Sequence, residues 1–368
     1  MLSCMKLPLL LAVLLLAGAV QAYSQLEDAD AATQTRCAEY LRTPLPAEAA
    51  EAPVPNAWPG CNSVSSYLGI GTKVDYATAR KCAWKERLAI QAGLEPRYSV
   101  ASVFGGSAML TVLYANGQGV EPNKALALRF ACEAGGAPAE IALRLQDLES
   151  LSDKGRSHFN FCDDVTSGFM EGFCAAYGTE LADQERSASL NAISAKMTQT
   201  EREAFDQMLK AERTYARAHA AGEIDLSGTA RAMYQIDAEQ TLQDDLLAAL
   251  RQFDAGRYPT GSAAAYREAD ARLNVAYRKA LYGAGEHKTE YGAVQPEGIR
   301  QAERAWLKYR DAWIAFAKLR YPQVPSTPWL ILLTKDRTSI LDGSFCDMDD
   351  VEDPCAGRGD TWKPSPLL

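Results

Sequence analysis

Residues 300–313 read RQAERAWLKYRDAW, and residues 266–281 read YREADARLNVAYRKAL. In the first stretch Ala302, Trp306, Tyr309 and Trp313 recur at three- and four-residue steps, and Ile299 and Phe316 extend the stripe at either end. In the second, Tyr266, Leu273, Tyr277 and Leu281 follow the same rhythm. That period belongs to a helix burying one face; a strand would alternate its inward side chains. Thr327-Pro328 opens a third helical segment, with proline suited to a first turn, and it runs through Leu333 to Leu341. Three amphipathic helices in close succession predict a small antiparallel bundle over residues 262–342.

Immediately upstream the same layout recurs. Thr200-Glu201-Arg202-Glu203 forms a capping box, and the helix behind it places Phe205, Met208, Leu209, Glu212 and Tyr215 on one side. Glu212 is the single polar interruption of that stripe. Thr229 to Phe253 carries Met233, Ile236, Leu246, Leu247, Leu250 and Phe253 at helical spacing, and the turn Gly256-Arg257-Tyr258-Pro259-Thr260-Gly261 closes the segment. A first bundle is therefore expected over residues 156–256. Ala211-Glu212-Arg213-Thr214-Tyr215 echoes Ala302-Glu303-Arg304-Ala305-Trp306. The fold expected is all-α.

Three pieces of the C-terminal segment have a fixed order and spacing: Asp270-x-x-Leu273-Asn274-x-x-Tyr277, Glu303-Arg304-x-Trp306-x-x-Tyr309-Arg310-Asp311, and Leu333-Thr334-x-x-Arg337. Together they resemble the LprI-type lysozyme-inhibitor-like domain family. The resemblance is good over about residues 263–342 and loose over residues 158–255, where it rests on Cys162, Cys174 and the Ala-Glu-Arg-x-aromatic echo. The second segment departs from the family by lacking a cysteine pair at its start and a late cysteine near Trp329. What the resemblance implies is an exported module that binds a protein, with a lysozyme as the candidate. Physically, the motif residues read first as structural. Glu303 and Arg310 lie about two turns apart and share a face with Trp306, and Asp270 and Asn274 share another. Polar groups at the edge of an aromatic core satisfy one another and fix helix register.

Between residues 63 and 150 the pattern changes to Ala-rich helices punctuated by glycine. Leu110, Leu113 and Tyr114 form one face, Gly117 and Gly119 supply a tight turn, and Ala125 to Ala134 begins the partner helix. A weaker copy precedes it, with Tyr67, Gly69, Gly71 and Asp75-Tyr76-Ala77-Thr78-Ala79 in matching places. This helix-pair region resembles Sel-like (tetratricopeptide-related) repeats, which commonly present a surface to other proteins. One good and one degraded copy fall short of the three such arrays usually need.

The remaining segments concern export. Lys6 and the apolar run Leu7–Val20, closing on Ala19-Val20-Gln21-Ala22, read as a signal peptide over residues 1–22, cleaved after Ala22. The run is shorter than the roughly 20 residues that span a bilayer. Residues 23–62 form a Pro/Ala-rich leader, expected to be extended because its prolines oppose both helix and sheet, and residues 343–368 an acidic tail. Without Cys4, eight cysteines are left, an even number that argues for disulfides in the periplasm or outside the cell. Sequential pairing within local segments is expected: Cys37–Cys61, Cys82–Cys132, Cys162–Cys174 and Cys346–Cys355. The tail sequence between Cys346 and Cys355 holds five acids; a solvated loop ranks first, a face for a cationic partner second, and calcium last, because Glu352 stands where a calcium loop needs glycine.

Composition excludes several classes. The formal charge of −9 disfavours nucleic acid and anionic membrane surfaces but suits a cationic protein partner. His158, His219 and His287 are scattered and no CxxC spacing occurs, so neither a metal nor another cofactor is expected. No phosphate-binding glycine loop or Gly-x-Ser-x-Gly elbow is present. Adjacent acids such as Asp163-Asp164 and Asp244-Asp245 point apart on a helix and do not make an acid/base pair. The expectation is a non-enzymatic, disulfide-stapled, all-α exported protein: a short helix-pair repeat region followed by two antiparallel bundles. Protein binding is its leading function, with inhibition of a lysozyme-type cell-wall hydrolase as the candidate form of it. A structural or interaction protein of the bacterial envelope without inhibitory activity is the alternative, and a hydrolase the last.

Overall fold

A computed structural model describes residues 26–51, 56–94, 99–151, 158–286 and 294–344. Among these every regular element is helical, as expected. We number the helices α1 (Ala31–Tyr40), α2 (Glu48–Glu51), α3 (Ser63–Leu68), α4 (Tyr76–Gln91), α5 (Val100–Phe104), α6 (Gly106–Asn116), α7 (Lys124–Ala134), α8 (Pro138–Ser150), α9 (Gly168–Ser194), α10 (Gln199–Gly222), α11 (Arg231–Asp254), α12 (Ala263–Glu286), α13 (Pro296–Arg320) and α14 (Ser326–Ser344). The chain divides into two compact units between Leu181 and Ala182, within α9.

In the first unit, α3–α4 and α6–α7 are helix pairs joined by turns of the same construction. Gly69 and Gly117 end the leading helices in left-handed backbone, with φ of 76° and 66°. Asp75 and Asn123 then cap the following helices by accepting from the amides of Thr78 and Leu126. The turn bonds correspond as well: Asp75 N–H donates to the Ser66 carbonyl and Asn123 N–H to the Tyr114 carbonyl, both at 2.9 Å. Trp84, Leu110, Leu113, Phe130 and Leu145 fill the core beneath these pairs. Buried Glu86 joins the elements by accepting from Ser63 N–H at 2.8 Å and Gly106 N–H at 3.0 Å.

The disulfides correct the expected pairing. Cys37 bonds to Cys132 and Cys61 to Cys82, with Cα separations of 5.5 and 5.8 Å, in place of Cys37–Cys61 and Cys82–Cys132. The cause is packing. The leader is not extended throughout: Ala31–Tyr40, ahead of its prolines and capped by Asp30, form helix α1. That helix lies on α7, so Cys37 meets Cys132, and Cys61 precedes α3, which packs on the α4 helix that carries Cys82. Cys162 bonds to Cys174 at the start of α9. Cys346 and Cys355, with the acidic tail from residue 345 onward, lie outside the described residues, as does the signal segment.

In the second unit, the helices expected as two successive bundles contribute to one core. Phe205, Met208 and Tyr215 of α10, Leu250 and Phe253 of α11, Leu273 of α12, Trp306, Trp313 and Phe316 of α13, and Trp329 and Leu333 of α14 all belong to it. The boundary between the two compact units, at Leu181–Ala182, lies inside residues 156–256. Helices α10 and α13 form its largest interface and run antiparallel: Phe205 packs on Phe316 with ring centroids 5.3 Å apart, and Tyr215 stacks on Tyr309 at 6.0 Å. At the far end Gly222 and Gly298 let the backbones touch; a Cβ on Gly222 would stand 2.8 Å from the Gly298 carbonyl carbon. An aromatic cluster of Phe253, Trp313, Tyr321 and Trp329, with Phe253 and Trp329 edge-to-face at 4.8 Å, closes the opposite end.

Candidate functional site

Arg337 of α14 is fully buried, yet every one of its guanidinium nitrogens has a partner. Nη2 donates to Glu223 Oε1 at 2.6 Å, and Nη1 donates to Glu223 Oε2 at 2.8 Å and to the Tyr215 hydroxyl at 3.2 Å. Nε donates to Glu303 Oε2 at 2.9 Å. A planar fork of donors suits this two-carboxylate cage. Burial alone would push the Glu223 carboxyl up, but the charge and hydrogen bonds of Arg337, with His219 at 2.8 Å, hold it below its ordinary value. The cage ties α10, α13 and α14 together through charge, at the cost of desolvating four ionisable groups.

Beside the cage lies a cavity of about 90 Å³ between α10, α11, α13 and α14. Its aromatic walls are Tyr215, Trp306, Tyr309 and Trp313, and aliphatic side chains such as Leu246 and Leu333 complete them. Three carboxyls from three different helices also line it: Glu212, Asp245 and Asp336. Glu212 is 3% exposed and its Oε1 has no hydrogen-bond partner. Arg337 is the cation in the lining, and Glu223 and Glu303 already neutralise it.

The electrostatics follow from that imbalance. Burial pushes the Glu212 carboxyl up to about 7, and nearby Glu239 adds to the effect while Arg213 and Arg186 oppose it. Burial and then the charge of Asp245 push Asp336 up to about 7, against Lys335. Burial and Asp244 raise Asp245. The Tyr309 hydroxyl rises far above its ordinary value through burial first, then Glu212 and Asp336, then Tyr215 and Asp245. One ring thus feels all three acids. Among the described residues no three His, Cys, Asp or Glu side chains are placed to hold a metal ion.

The residues singled out by sequence divide among these features. Glu303, Trp306, Tyr309 and Arg337 come together at the cage and cavity, and Thr334 is buried one turn before Arg337. Glu303 pairs with Arg337, not with Arg310. Arg310 instead lies over the Trp306 ring, 5.5 Å from its centroid, and donates to Asp311 at 2.8 Å. Leu273 is buried in the core and Tyr277 packs against it. Asn274 Nδ2 donates to the Asp270 carbonyl at 2.8 Å and Arg304 donates to Glu297 at 2.7 Å, both on the exposed surface. Sequence reasoning passed over Glu223 and Asp336 altogether, set His219 aside as one of three scattered histidines, and set Asp245 aside as one of an adjacent pair. Its neighbour Asp244 does point away, to Arg186 at 2.8 Å. The signal that was available is Glu212, a carboxyl interrupting an apolar stripe.

Comparison with known proteins covers part of the second unit. The family model described as Lysozyme inhibitor LprI matches residues 260–341, which hold α12, α13 and most of α14. No curated protein and no solved structure matches the chain. Glu303, Trp306, Tyr309, Asp336 and Arg337 lie inside the matched stretch, whereas Glu212, Tyr215, Glu223 and Asp245 are supplied by α10 and α11 outside it.

Proposed function

We propose that the protein is an exported binding module that inhibits a lysozyme-type cell-wall hydrolase. The observation that carries this reading is the match of residues 260–341 to the lysozyme inhibitor family. Three disulfides among the described residues support an oxidising compartment, and the apolar start of the chain is read as a signal peptide over residues 1–22. Among the described residues no helix is long and apolar enough to cross a membrane. The helix pairs of residues 63–150 are read as a Sel-like region, supported by their matching turns and caps.

The cavity chemistry supports binding over catalysis. Two-carboxylate hydrolysis needs environments that push one acid up and hold the other down. Here Glu212, Asp245 and Asp336 are all pushed the same way. We therefore assign no catalytic residue.

The deciding experiment is inhibition of a panel of lysozymes by the purified protein beginning at Tyr23. Saturable inhibition of at least one basic lysozyme at micromolar protein is expected. Absence of both inhibition and a salt-sensitive complex across the panel would reject the assignment.

A further inference from the structure

A cavity with four aromatic walls and three acids limits what can enter it. An apolar ligand would displace water from Glu212, Asp245 and Asp336 and offer nothing in return, a penalty of the kind that excludes unpaired buried charges. A metal ion is disfavoured because the carboxyls, among the described residues, are not gathered into a ligand set. An anion would meet only like charge, since the Arg337 fork is consumed by Glu223, Glu303 and Tyr215. What remains is an organic cation with an apolar stem. Carboxylates take the planar head in charge-assisted bonds, and indole and phenol faces favour both stem and charge. Guanidinium suits three separate acids better than ammonium does, because its five donors are spread around a plane.

We propose that this cavity is the receptor for an arginine side chain of a basic partner protein, with Glu212, Asp245 and Asp336 as its carboxylate acceptors and Trp306 and Tyr309 as its aromatic walls. Glu212 is the anchor, being almost wholly buried with one oxygen unpartnered and its side chain part of the cavity lining. Ser339, exposed at the lining, marks the side from which solvent and a partner reach it. The chain's charge of −9 favours approach of a basic protein. The cation site stands on this geometry alone; naming a lysozyme as the partner rests on the proposed function above. Acid pH should close the site to cations. The groups acting on Glu212 are Arg213 on its own helix, Arg186 of α9 and Glu239 of α11, and those acting on Asp336 are Lys335 beside it and Asp245 of α11. Neither set supplies enough positive charge to keep these acids ionised much below neutrality.

The probe is butylguanidinium, titrated into the full protein at pH about 8.5 and about 5.5 and followed by calorimetry and tryptophan fluorescence, with butylurea as the neutral isostere. Saturable binding at the higher pH is expected, together with marked weakening at the lower pH and none with butylurea. Glu212→Gln should lower affinity by about tenfold or more, the scale of one charge-assisted hydrogen bond. Asp336→Asn provides a second variant if the first does not fold. Butylguanidinium failing to bind, or binding both variants as it binds the wild type, would overturn the cation site. Adding a basic lysozyme separates the two readings. Inhibition that Glu212→Gln leaves unchanged rejects this cavity and keeps the inhibitor. Cation binding without inhibition of any lysozyme keeps the cavity and rejects the inhibitor.

Discussion

Glu212 and Glu303 hold the same place in the Ala-Glu-Arg-x-aromatic pattern of two antiparallel helices, but only Glu303 has a cation, the Arg337 Nε at 2.9 Å. Glu212 is left buried with one oxygen unbonded. The first helix of the pattern has exchanged an ion pair for an open, acidic cavity wall. This difference should be visible in stability. Removing the charge by Glu212→Gln should stabilise the protein at pH about 8, by on the order of 2 kcal/mol, measured by urea unfolding. A loss of stability there would mean that Glu212 has a partner after all.

The same group sets the sign of a pH dependence. Its carboxyl lies near 7 when folded, above its ordinary 4.5, so the folded state holds the proton more tightly than the unfolded one. The stability this contributes is complete at acid pH and is lost as pH rises through about 7. Asp336, likewise pushed up to about 7, adds to the slope. The midpoint for thermal unfolding should therefore fall between pH about 5 and about 8, and the fall should be shallower in Glu212→Gln and shallower still with Asp336→Asn added. Equal slopes in all three proteins would place the titrating groups elsewhere.

Arg337 is the opposite case, a charge whose partners are complete. Arg337→Met leaves Glu223 buried with only His219 beside it and strands the Tyr215 hydroxyl. A loss of about 3–5 kcal/mol is expected, the usual cost of breaking a buried pair from one side. Combining Arg337→Met with Glu223→Gln should recover part of that loss, because the orphaned charge is gone. A double mutant as unstable as the sum of its two single mutants would show that the two side chains do not act as a pair.

How far the sequence reveals all this depends on the kind of information each feature needs. Helix periodicity exposes the stripe of Trp306, Tyr309 and Trp313, and a capping signal is legible near the start of α10, although the box forms two residues earlier than the Thr200–Glu203 expected, between Thr198 and Glu201. Both are short-range patterns. The Arg337–Glu223 pair joins positions 114 residues apart, and no periodicity links them. Asp336 sits between Lys335 and Arg337 and looks like surface charge until the helix is packed. Asp245 looks like half of a solvated acidic pair, and only the meeting of α11 with α14 turns it inward to Asp336. The repeated Ala-Glu-Arg motif suggested two separate bundles. The helices share one core because each copy of the motif supplies half of the α10–α13 interface.

Disulfide connectivity was likewise decided by packing and not by proximity in sequence. Digestion without reductant should release linked peptides holding Cys37 with Cys132 and Cys61 with Cys82. Their loops of 95 and 21 residues predict different contributions. Replacing Cys37 and Cys132 by serine should cost about 4–5 kcal/mol, and replacing Cys61 and Cys82 about 3, in the chain-entropy account. Recovery of a Cys37–Cys61 peptide would refute the packing of α1 on α7.

The meeting of Gly222 and Gly298 sets how closely α10 and α13 approach, and through them the span of the cavity. Gly222→Ala brings two opposing effects. Alanine is favoured over glycine within a helix by up to about 1 kcal/mol. The new methyl, however, would stand 2.8 Å from both the carbonyl carbon and the oxygen of Gly298, atoms of backbone that cannot rotate away. Forced contacts of this kind cost about 1–3 kcal/mol, so the clash should prevail and Gly222→Ala should be destabilising. Gly298→Ala meets the Gly222 carbonyl oxygen at 2.6 Å and should behave alike. Because Tyr215 and Tyr309 stack along the same interface, splaying it should also weaken butylguanidinium binding in protein that remains folded. If Gly222→Ala instead stabilises the protein and leaves the cation affinity intact, the two helices are not held at contact distance, and the cavity does not depend on their spacing.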